Sequence, residues 1–131
     1  MRILANFFLF LLISLNIKQT IKANNMESVY KILTVSEWQK FQSQGEYEGS
    51  LVDIKDGFIH LSPRDKINRV MSKYYNQETK VYILKFSESH FLNLLKWELA
   101  SDNNLYPHLY NRPLYLKEVE EIKTADPKIG I

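Results

Sequence analysis

Asp56-Gly57-Phe58-Ile59-His60-Leu61-Ser62-Pro63 is the stretch on which the fold turns. Asp-Gly marks a tight turn, the apolar run after it a strand, and Ser-Pro a helix start with proline at the first helical position. His60 therefore puts a polar, titratable ring where a strand buries carbon. Tyr106-Pro107-His108-Leu109-Tyr110 repeats the arrangement downstream. Two of the three histidines thus occupy strand-like apolar settings, far apart in sequence and able to meet in one cleft.

Working outward, Ser62-Pro63-Arg64-Asp65 resembles a cap, and Ile67, Val70, Met71 and Tyr74 follow at the three- and four-residue spacing of a helix with one buried stripe. Upstream, residues 45–55 read as a loop carrying Tyr47, Gly49, Ser50 and Asp53. Before it, residues 29–33 read as a strand, and Ser36-Glu37-Trp38-Gln39 fits a capping box that opens a helix burying Trp38 and Phe41 and ending at Gly45. Residues 80–86 are apolar at nearly every position, which predicts a central strand. A short helical turn over 87–93, a strand over 94–99, a loop over 101–104 and closing strands over 106–110 and 114–122 complete the reading. Strands grouped around a few short helices make the class α+β.

With 131 residues, 45% of them hydrophobic, the chain suffices for one cored domain, assigned to residues 26–124. Residues 1–25 have a positive start, an apolar stretch and a polar end, the layout of a signal peptide with cleavage after Ala23, which implies export. An N-terminal membrane anchor, or a cytoplasmic protein that starts at Met26, are the alternatives. Residues 125–131, with Asp126-Pro127 and Gly130, read as a loose tail. The net charge of +2 becomes −1 without the leader, because 14 basic residues then face 15 acidic ones. That balance argues against long nucleic acid as a partner. The absence of cysteine excludes a disulfide framework, a thiol nucleophile and a thiolate zinc site.

His60 can donate from one ring nitrogen, accept at the other and titrate near neutrality; it is equally readable as a half-buried structural histidine. Glu98, beside Trp97, is either a cleft carboxylate or an outward strand position. His108 and Tyr110 are two apart and share a strand face, with Arg112 close by. Ser62 reads as a helix cap. No local ligand pair supports a metal site from His60, Glu98 and His108, so no metal is assigned. No phosphate-binding glycine loop or serine elbow is present.

Tyr30-Lys31-Ile32, Glu37-Trp38, Gly45, Tyr47, Gly49-Ser50, Asp53, the Asp56 to Ser62 segment, Trp97-Glu98 and Pro107-His108-Leu109-Tyr110 together resemble the bacterial family known as domain of unknown function 952. The chain departs from that pattern at Asn111, where glycine is usual, and at Tyr106, where phenylalanine is common. The resemblance implies a small split antiparallel sheet with short helices, distantly similar to ADP-ribosyltransferases, and a cleft for a nucleotide such as NAD. It would make His60, Glu98 and His108 the catalytic residues, with Ser62, Tyr110 and Arg112 binding the cofactor. In that scheme His60 bonds a ribose hydroxyl, Glu98 holds the 2′-hydroxyl and stabilises positive charge at the anomeric carbon, and Tyr110 stacks on the base. A non-catalytic small-molecule-binding module and an exported interaction domain are the competing expectations.

Overall fold

The computed structural model describes Asn6 and residues 8–17 and 27–131. Residues 8–17 are helical, with exposed apolar side chains such as Phe10 and Leu12. Among the described residues no helix is long and apolar enough to cross a membrane. The cleavage expected after Ala23 lies outside the described residues.

Strand β1 (Ser28–Thr34) leads into helix α1 (Val35–Gln44), strand β2 (Glu46–Tyr47), helix α2 (Leu51–Asp56), strand β3 (Ile59–His60), helix α3 (Ile67–Tyr74) and strand β4 (Val81–Ser87). Strands β5 (Leu95–Leu99), β6 (Leu105–Leu109), β7 (Leu114–Tyr115) and β8 (Glu121–Ala125) follow. Every pairing is antiparallel: one sheet has the order β1-β4-β8, a second β3-β6-β5, and β2 pairs with β7. A bridge between Tyr30 and Ser62, with hydrogen bonds in both directions, stitches the two larger sheets together. The fold is α+β.

Alternation along β1 explains the layering. Val29 and Leu33 join Leu84, Phe86, Phe91, Ile59, Leu109 and the α1 residues Trp38 and Phe41 in the main core. Ile32 faces the other way, packing with Val81 and Ile83 against Ile67 and Met71 of α3. Lys31 shares the parity of Val29 and Leu33, so a lysine enters the main core, and it is only 4% exposed.

Several expectations are corrected. The cap of α1 is Thr34, whose hydroxyl accepts from Glu37 N–H while the Glu37 carboxylate accepts from Thr34 N–H. Thr34-x-x-Glu37 fits the capping box as well as Ser36-x-x-Gln39 does, and two residues earlier. The region expected as a loop over 45–55 contains α2, capped reciprocally by Ser50 and Asp53 and ended by Gly57 at φ 83°. The tight turn expected at Asp56-Gly57 is thus the exit of a helix. The Ser62 hydroxyl donates to the Pro63 carbonyl, and no side chain caps the turn at 64–66 that precedes α3. The final strand expected over 114–122 is broken by a helical turn at Leu116–Glu118. The end of the chain is tied down, since Ile131 N–H donates to Asn68 Oδ1 on α3 and Asn68 Nδ2 donates to the Ile131 carbonyl. Asn111 adopts φ 57°, a left-handed conformation that asparagine tolerates better than most residues, so the turn keeps the shape glycine would give it.

Candidate functional site

The register of the second sheet builds the site. His60 on β3 is directly opposite His108 on β6, and His108 is directly opposite Lys96 on β5. Directly paired residues share a sheet face, so two imidazoles and an ammonium form a row across three strands. Glu98, paired with Tyr106, belongs to the same face one step along. Phe58 roofs the pair: its ring stacks on His108 at 4.1 Å and lies 4.5 Å from His60 and 5.2 Å from Tyr110. The two imidazole centroids are 5.5 Å apart.

Each imidazole is oriented by a carboxylate at Nδ1. His60 Nδ1 lies 2.6 Å from Asp53 Oδ1, and the same oxygen accepts the His60 backbone N–H at 3.0 Å. Asp53 Oδ2 accepts from Lys31 Nζ at 2.8 Å and from Ser50 N–H at 2.9 Å. Lys31 also donates to the His60 carbonyl at 2.9 Å. Burial alone would raise the Asp53 carboxyl, but the His60 hydrogen bonds and the Lys31 charge outweigh it and hold it well below the usual carboxylate range. An ionised carboxylate has no proton to give, so His60 Nδ1 carries the hydrogen. On its other side, His60 Nε2 faces Asp56 Oδ2 at 3.1 Å. Burial pushes the Tyr47 hydroxyl up as well, reinforced by the charges of Glu37 and Asp53.

His108 Nδ1 lies 3.0 Å from Glu98 Oε1, and the Tyr110 hydroxyl donates to that same oxygen. Those two hydrogen bonds, the one from Tyr110 first, hold the Glu98 carboxyl below its ordinary value, and Glu98 in turn pushes the Tyr110 hydroxyl up. Burial lowers His108 from its usual value against the opposing pull of Glu98. His108 is therefore a neutral ring with its hydrogen on Nδ1 and a lone pair at Nε2. Neither His108 Nε2 nor Glu98 Oε2 has a hydrogen-bond partner among the described residues, and neither is sealed from solvent. The Glu98 side chain is 41% exposed. A base nitrogen and a carboxylate oxygen thus open side by side on one face.

The expected site residues separate into two groups. His60, Glu98, His108 and Tyr110 come together as described. Ser62 is buried at the bridge to β1, and its hydroxyl is committed to a backbone carbonyl. The Arg112 guanidinium donates to the carbonyls of Pro113 and His90 and to Glu118, and lies over the rings of Phe91 and Tyr115. Its contacts hold the β6–β7 turn. Lys31 and Asp53, not singled out as site residues, orient His60; the Ser50-x-x-Asp53 capping box was the signal that could have exposed Asp53. Among the described residues no cluster of three or more metal-ligating side chains is present. A cleft of about 330 Å³ is lined by Asp53, Phe58, Ile59, Leu109, Asn111 and Arg112 among others; it borders the imidazole pair through Phe58 and Asp53, and His60, Glu98, His108 and Tyr110 do not line it.

A family model described as protein of unknown function (DUF952) matches residues 32–122, from the middle of β1 into β8 and including every residue of the row. The chain belongs to the DUF952 family. Among solved structures, the crystal structure of protein CC0527 from Caulobacter crescentus is similar to this DUF952 chain at 37% identity and a TM-score of 0.67, covering 76% of this chain and 84% of that one. The solution structure of CC0527 aligns at 37% identity and a TM-score of 0.64, covering 76% and 83%. No curated protein matches.

Proposed function

We propose that the His60–His108 face is a nucleotide site of the ADP-ribosyltransferase-like kind, at which Glu98 meets positive charge developing on a ribose anomeric carbon. The observation that carries the reading is the pairing of an ionised, half-exposed Glu98 with the open Nε2 of His108. Cleavage of a glycosidic bond passes through an oxocarbenium-like state, which a fixed carboxylate stabilises. The free Oε2 of Glu98 is available for that role, since Oε1 is held by Tyr110 and His108. His108 Nε2 suits a ribose hydroxyl as donor, and NAD is the natural first candidate.

The test is to incubate the full chain with NAD and follow nicotinamide release, alongside Glu98→Gln. Release that the substitution abolishes without loss of NAD binding supports the reading. Absence of both turnover and binding to NAD and ADP-ribose rejects it. A second reading, a binding module without turnover, is favoured by the Asp56 carboxylate that faces His60 Nε2 and leaves that ring without an open nitrogen. Nucleotide binding without any nicotinamide release would select it.

A further inference from the structure

Lys96 has no place in the scheme above, yet it stands at the end of the row formed by His60 and His108. Its strand partner is His108, so its side chain leaves β5 on the same sheet face as His108 and His60. The ammonium lies 5.0 Å from the centroid of the Tyr110 ring. That contact sets it beside the residue that holds Glu98, since the Tyr110 hydroxyl bonds Glu98 Oε1. Among the described residues no carboxylate lies within ion-pair distance of Lys96, although Glu98 is close enough to feel its charge. Arg69, a basic side chain of α3, is by contrast paired with Asp102 at 3.0 Å.

The other charged groups on this face are already engaged. Asp56 faces His60 Nε2, and Glu98 Oε1 is shared by His108 and Tyr110. Lys96 and His108 are directly opposed on neighbouring strands, so a ligand whose hydroxyl reached His108 Nε2 would have the Lys96 ammonium on the adjoining strand of the same sheet face. A phosphate carried by the same sugar is the anionic group such a ligand would offer it.

We propose that Lys96 is the anion contact of this face and selects ligands that carry a phosphate on the ribose. The inference rests on the nucleotide reading for the identity of the sugar, while the phosphate contact itself can be tested apart from it. A lysine ammonium recognises phosphate as a compact point charge, with its donors free to rotate onto the oxygens. A phosphate in this position leaves Glu98 Oε2 clear for the anomeric carbon.

The experiment compares nicotinamide riboside with nicotinamide mononucleotide by titration calorimetry on the full chain, and on Lys96→Gln and Lys96→Arg. The mononucleotide is expected to bind roughly tenfold or more tightly than the riboside, the low end of what one charge-assisted hydrogen bond supplies. Lys96→Gln is expected to erase that difference with riboside affinity unchanged, and Lys96→Arg to restore much of it. Equal affinities in the parent protein, or a difference that survives Lys96→Gln, would overturn the assignment while leaving the nucleotide reading standing. If neither compound binds, the nucleotide reading is left to NAD and ADP-ribose, and inorganic pyrophosphate decides the anion contact alone. Binding of pyrophosphate that Lys96→Gln removes upholds it, and no binding overturns it.

Discussion

Asp53→Asn isolates the electrostatics that hold the site together. The substitution keeps the shape of the side chain and removes its charge, so the amide can still accept from Ser50 N–H or His60 N–H. What it strands is the Lys31 ammonium, whose side chain is 5% exposed and which loses its carboxylate partner at 2.8 Å, keeping only the His60 carbonyl. Breaking a buried ion pair from one side costs about 3–5 kcal/mol. At roughly 4 °C or more per kcal/mol for a domain of this size, the melting temperature should fall by about 12 °C or more. Urea denaturation of the full chain at neutral pH measures the loss directly. Adding Lys31→Met removes the stranded charge, so the double variant should recover at least about 1 kcal/mol over Asp53→Asn. The acid limb gives an independent check. A carboxyl held below its ordinary value of 3.8 contributes stability that is present above that pH and is lost as pH falls below it. Asp53→Asn should flatten that part of the acid limb. A loss under about 1 kcal/mol at neutral pH, or a double variant weaker than the single one, would refute the account of Asp53 as the counter-ion of a buried lysine.

Two further outcomes follow from geometry already described. In an NMR titration the His108 ring should titrate below the ordinary imidazole value of 6.5, and Glu98→Gln should lower it further, because Glu98 is the group opposing the effect of burial; an upward shift in the variant would contradict the pairing. At Gly49, φ is 120° and an added Cβ would sit 2.7 Å from Asp53 Cβ, so Gly49→Ala should destabilise by about 2 kcal/mol or more in urea denaturation. Gly57→Ala, at φ 83° with nothing within 4 Å, should cost only about 1 kcal/mol, and equal losses would argue against crowding at Asp53.

The parts of the fold that follow from hydrophobic period were legible in the sequence. Strands β1 and β4 showed as apolar runs, α3 as a three- and four-residue stripe that holds for Ile67, Val70 and Met71 but not for Tyr74, which is exposed, and His60 and His108 as polar intrusions whose strands do pair. What escaped the reading did so for physical reasons. Helix α2 exposes Leu51, Val52 and Ile54 and buries Asp53, the reverse of an amphipathic pattern, so periodicity argued for a loop. The burial of Lys31 left no mark in the local pattern, because it depends on a carboxylate 22 residues later. Arg112 does line the cleft, but sequence shows its charge and not the two carbonyls, the carboxylate and the two rings that engage its guanidinium.

Strand β3 is two residues long, and its shortness makes the site a matter of odd and even. Ile59 enters the core and His60 the face it shares with His108 only because α2 releases the chain at Gly57 and the Ser62 bridge catches it again. Deleting or inserting one residue between those anchors would exchange the two side chains, sending an imidazole into hydrocarbon and an isoleucine beneath Phe58. Length variation among related chains should therefore be scarce between Gly57 and Ser62, a spacing rule that outlasts changes in the residues themselves.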